Sequence, residues 1–127
     1  MRKFLSDFIY FLHFWIVFFW CGLFFVPVSF WAEKISFHFF LTLSIISHQF
    51  IWGAMIRPWT RKYRLVCFLT TITQVLRGVP ISDPNNYNHS FTKELFGRTG
   101  ITIPHRAITL FTLTIFTLVT IQYFFFQ

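Results

Sequence analysis

FLHFWIVFFWCGLFF, residues 11–25, holds six phenylalanines, two tryptophans and one histidine, and no Asp, Glu, Lys or Arg. The charge-free run extends over 8–31, and two more follow at 35–56 and 107–127. At 1.5 Å rise per residue, about 20 residues make a helix of about 30 Å, the thickness of the hydrocarbon layer of a bilayer. No water reaches backbone groups there, so each run must satisfy its own N–H and C=O groups by coiling. Strands would cross in about ten residues each but would need closure into a barrel, for which three runs are too few. These runs predict an all-α integral membrane protein with three transmembrane helices over about 8–31, 35–56 and 106–126.

Composition agrees with that class. The 127 residues are 55% hydrophobic and 24% aromatic with only 12% charged, too apolar for an ordinary soluble domain and too short for several, so 1–127 reads as a single membrane domain. Met1-Arg2-Lys3 before an apolar run resembles a signal peptide, but the run lacks a small-residue cleavage pattern and is expected to stay as an anchor. Cys21 falls in a span and Cys67 in a separate basic region, so no disulfide between them is expected.

The cations give an orientation. Arg2 and Lys3 precede the first run, and Arg57, Arg61, Lys62, Arg64, Arg77, Lys93, Arg98 and Arg106 lie between the second and third. Lys34, beside Glu33, is the one cation of the first connection. The positive-inside rule then puts the N-terminus and the long basic segment in the cytoplasm, and the short Ala32-Glu33-Lys34 turn and the C-terminus outside (N-in, C-out). So short a turn makes the first two spans an antiparallel hairpin. The charge of +7 is accounted for by topology and attraction to anionic lipid, without a nucleic-acid site.

Within the basic segment, Leu65, Phe68, Leu69, Ile72, Val75 and Leu76 recur on one helical face over 61–77. This predicts an amphipathic helix lying at the interface or tucked against the bundle. Arg61, Lys62 and Arg64 would sit among headgroups, with Trp31 and Trp59 as interfacial anchors. The stretch 78–104, rich in Gly, Pro, Asn and Asp, reads as a long cytoplasmic loop holding one short helix, with Ser90 as N-cap and Gly97 past its end.

In the first span, Ser6, Tyr10, His13, Val17, Cys21, Phe24 and Val28 form the expected protein-facing seam. The second carries two polar stripes, one of Ser36, Ser44, Ser47 and His48, the other of His38, Thr42, Gln49 and Gly53. Because lipid offers no hydrogen bonds, a helix polar on two sides is best placed between neighbours, with Ser44 and Ser47 as packing residues. Thr109, Thr112, Thr117 and Thr120 share an arc of the third span and suit close helix approach.

His13 and His48 fall at similar depth across the hairpin. An intramembrane ionisable side chain is a functional candidate by default. Three readings stand for the pair: packing histidines satisfied by Tyr10, Ser44 and Ser47, axial ligands of a haem or a chlorophyll-type pigment walled by aromatics, or a proton relay. His89 in the loop and His105 at the third span's edge need no special role. With Asp7, Glu33, Asp83 and Glu94 as the only acids, none deep in a span, neither paired-carboxylate catalysis nor an acidic ion path is visible, and no enzyme is expected.

Several short motifs occur in order: Leu12-His13, a second histidine followed by Trp52-Gly53, Cys67-Phe68-Leu69-Thr70, then Tyr87 and Ser90-Phe91 before the last span. In these the chain resembles an uncharacterised family of small bacterial inner-membrane proteins with Leu-His, Trp-Gly and Cys-Pro-Leu-Thr motifs, differing at Phe68 where the family has proline. The resemblance implies residence in a bacterial inner (cytoplasmic) membrane and draws attention to His13 and Cys67. The expected function is that of a small accessory or structural subunit of a larger membrane assembly. It would contact lipids and other subunits or its own copies, with no cofactor. A haem- or pigment-binding electron-transfer subunit using His13 and His48 is the alternative, and a minor transporter or lipid-handling protein a second.

Overall fold

The computed structural model describes residues 1–126. The side chain of His105, and with it the expectation for that residue, lies outside the described residues. Among the described residues every regular element is helical: α1 (Arg2–Gly22), α2 (Lys34–Met55), α3 (Arg57–Thr60), α4 (Phe68–Leu76), α5 (Phe91–Arg98) and α6 (His105–Phe125), with a 3₁₀ turn at Pro84–Asn88. Three of them, α1, α2 and α6, are long and apolar enough to cross a membrane.

The first span departs from 8–31. It starts at Arg2 and stops at Gly22, leaving 23–33 as an apolar connection folded in turns. Pro27 supplies the reason, since it has no N–H to donate and its ring clashes with a helix running through it. Already at Phe24 and Phe25 the backbone has tightened, bonding to the Cys21 and Gly22 carbonyls three residues back. Lys34 is therefore not in a short exposed turn. It opens α2, is buried, and donates its Nζ to the Val26 carbonyl at 2.6 Å, tying the connection back on itself.

The hairpin is antiparallel and closed near this connection. Trp20 Nε1 donates to Thr42 Oγ1 at 2.8 Å, and Phe24 meets His38 edge-on at 4.7 Å. Towards the other end the two helices do not close on each other. Residues 61–76 pack between them, α4 lying along α1 and the preceding segment against α2 at Gly53. α6 runs along α2, with Tyr123 stacked on Phe39 at 4.2 Å and Ile115 and Val119 closing on Trp20 of α1.

The amphipathic helix is shorter than 61–77 and faces the other way from a helix on a soluble core. Only Phe68–Leu76 is helical. Arg61 takes a left-handed φ of 55°, and the chain then runs extended, pinned by Tyr63 Oη donating to the Phe50 carbonyl at 2.9 Å and Arg64 Nη1 to Asn88 Oδ1 at 2.9 Å. Of the two placements expected for α4, packing against the bundle is observed. Its polar residues Thr70, Thr71, Thr73 and Gln74 are buried, while Phe68 is exposed.

The same inversion recurs in the long helices, beside a small apolar core at Trp20, Ile115 and Val119. Ser6, His13, His38 and Thr42 are buried, whereas Phe11, Phe18, Phe40, Leu110 and Phe124 are exposed. In water this distribution would cost about 25 cal/mol for every Å² of apolar surface left wet. Surrounded by acyl chains it costs nothing, and it shelters the polar groups that lipid cannot pair. α5 begins after Ser90 as expected but passes through Gly97 to Arg98. The left-handed residue that ends it is Gly100, φ 82°, with the Ile101 N–H reaching back to the Phe96 carbonyl.

Candidate functional site

The motif residues are scattered over the sequence and converge in space. α1 presents His13 on its buried face, as the seam predicts, and 54 residues later the chain brings Cys67 Sγ to 3.7 Å from His13 Nε2. Phe91, first residue of α5, stacks on the same imidazole at 4.0 Å with 21° between planes and meets Tyr10 at 4.9 Å. Next to them Trp52 donates Nε1–H to Thr71 Oγ1 at 2.9 Å and stands edge-on to Phe68 at 4.8 Å. Tyr87 packs with Ile56, Val66 and Trp52 and donates its hydroxyl to the Ile81 carbonyl at 2.7 Å.

Cys67 occupies the N-cap position of α4 without a full capping hydrogen bond. The backbone N–H groups of Leu69 and Thr70 and the Thr70 hydroxyl favour its thiolate, yet burial outweighs them and pushes the thiol up. At neutral pH the group beside His13 is therefore a thiol. That composition makes a close-packed polar contact under an aromatic lid and a poor nucleophile, since the thiolate is the attacking species.

Charged side chains tie α5 to α1 and to the end of α4. Glu94 accepts from Arg77 through two bonds of 2.9 Å and from Arg98 at 2.9 Å, and the Arg98 guanidinium lies 4.3 Å over the Tyr10 ring. The Arg77 bonds first, then those of Arg98, hold the Glu94 carboxyl below the ordinary glutamate range. A carboxyl depressed in the folded state stabilises above its unfolded value, about 4.3, and loses that contribution as pH falls through the folded value. The unfolding temperature is accordingly expected to drop between pH 6 and pH 3, and Glu94→Gln to flatten that drop while lowering the value at pH 7, both readable by thermal melts in detergent.

The other expected residues fall as follows. His48 is half-buried. Of the two polar stripes on α2, His38, Thr42 and Gly53 are buried, whereas Ser44 and Ser47 are exposed. Ser44 Oγ donates to its own helix at the Phe40 carbonyl, 2.8 Å. On α6, Thr112 and Thr120 are half-buried, and Thr109 and Thr117 exposed. The hydroxyls of Thr112, Thr117 and Thr120 each return to the carbonyl four residues back. Trp59, Arg61 and Lys62 are exposed, while Trp31 and Arg64 are half-buried.

Sequence reasoning missed Phe91 as the lid of His13 and left His38 unremarked among the histidines. The signal for Phe91 is an aromatic at the first position of a short helix, directly after its N-cap serine. His38, 1% exposed, was marked only by sharing a stripe with Thr42 and Gly53. Compared with family models, curated proteins and solved structures, the chain matches none of them.

Proposed function

We propose that this protein is a small accessory, structural subunit of a membrane-protein assembly, with the His13–Cys67 contact serving as the knot that fixes its polar loop to its spans. The observation that carries this reading is the exposed stripe of α2. Ser44 and Ser47 are exposed on an apolar helix, and small hydroxyl residues on such a face suit the close approach of another transmembrane helix. The N-in, C-out orientation, with residues 61–104 in the cytoplasm and α4 turning its apolar side to lipid, follows from the cation distribution and completes the reading.

His13 has Cys67 at Nε2 and Phe91 on one ring face. Its imidazole is thus already engaged, which favours a packing role over axial ligation of a haem or pigment shared with His48. The test is purification in mild detergent. The protein is expected to elute with a partner or as an oligomer. Ser44→Phe with Ser47→Phe is expected to release it as a monomer of unchanged unfolding temperature. A wild-type protein that is monomeric at every concentration would contradict the proposal.

A further inference from the structure

A polar recess at the charged end of the bundle is unused by the reading above. Between the first turns of α1 and the end of α4 lies a cavity of about 400 Å³ lined by Lys3, Ser6, Asp7, Leu76 and Arg77. Ser6 is 2% exposed, and its hydroxyl has no hydrogen-bond partner in the protein. Buried hydroxyls are seldom left without a partner, so Ser6 on the wall of this recess points to an occupant that supplies an acceptor.

We infer that the recess binds the phosphodiester headgroup of a membrane phospholipid. Lys3 offers an ammonium and Ser6 a hydroxyl. Arg77 uses two of its five N–H donors on Glu94 and keeps three. Lys3, Asp7 and Arg77, with Glu94 bonded to Arg77 and Arg98 bonded to Glu94, together carry one net positive charge, which a phosphodiester monoanion balances. A free phosphate dianion would face the Asp7 carboxylate without that balance. The recess lies where α1 begins, at the level at which a spanning helix meets headgroups, and exposed Phe4 and Phe8 on α1 give acyl chains an apolar wall.

The test uses the full chain in nanodiscs of phosphatidylethanolamine and phosphatidylglycerol, released for native mass spectrometry. The wild type is expected to retain one phospholipid. Lys3→Gln with Arg77→Gln is expected to reduce that retention at least about tenfold, as the loss of charge-assisted hydrogen bonds requires. Ser6→Leu, which fills the recess without changing charge, is expected to do the same, and Ser6→Ala, which keeps the packing, to weaken retention less. Millimolar inorganic phosphate is expected to leave the lipid bound. Equal retention by wild type and all variants would overturn the inference, as would displacement by inorganic phosphate, which would assign the recess to a soluble anion.

Discussion

Gly53→Val is expected to be the most disruptive single substitution in the protein. A Cβ at this position would run into the backbone carbonyl of Arg64, with the Tyr63 ring beside it. A long side chain could swing away, but the obstruction is main chain, held in place by the Tyr63 and Arg64 hydrogen bonds. Overpacking of this kind costs about 3 kcal/mol or more when the neighbour cannot yield. The strand-like segment would have to lift from α2, carrying Val66 and Cys67 with it. Two readouts follow: a lower unfolding temperature in detergent, and maleimide modification of Cys67 at least about tenfold faster, since 1.4 kcal/mol of easier opening already gives that factor. Unchanged melting and unchanged Cys67 protection would show that the segment does not rest on Gly53.

Leu113→Arg separates a membrane surface from a watery one. Leu113 lies near the middle of α6 and is 53% exposed. On a soluble protein a charge at such a position is almost neutral, within about 0.5 kcal/mol. At the centre of a lipid-facing helix it opposes insertion by about 2.5–3.5 kcal/mol. Leu113→Arg is therefore expected to reduce membrane-integrated protein severalfold, measured as the fraction resistant to carbonate extraction, while Leu113→Ala is tolerated. An arginine variant that inserts as well as the wild type would place this face of α6 somewhere other than in lipid.

The spans were legible because length and the absence of charge are bulk properties of a segment, and solvent acts on them directly. The connection at 23–33 was hidden by the same property: Leu23 to Trp31 is as apolar as the helix before it, and only Pro27 marked the break. Periodicity over 61–77 disclosed two faces for α4 but not which face meets protein, because that depends on the surrounding medium and not on the pattern. The seam through Ser6 and His13 could be read, since a polar residue in a span must turn towards protein wherever it lies. Its partners could not. Cys67 and Phe91 reach His13 only after the chain has crossed, turned at Arg61 and folded back, and no local spacing encodes that return. On α2 the rule that polar stripes seek protein held within the chain for His38 and Thr42, while Ser44 and Ser47 stayed exposed.

Crossing of the bilayer by α2 underlies every assignment above, and cysteine labelling of cells tests it most directly. With Cys21 and Cys67 replaced by serine, single cysteines at Ala32 and Lys93, both exposed, are treated with a membrane-impermeant maleimide before and after permeabilisation. The cysteine at 32 is expected to react in intact cells, and the cysteine at 93 only once the membrane is opened. Labelling of both from the same side would contradict a bilayer-spanning α2.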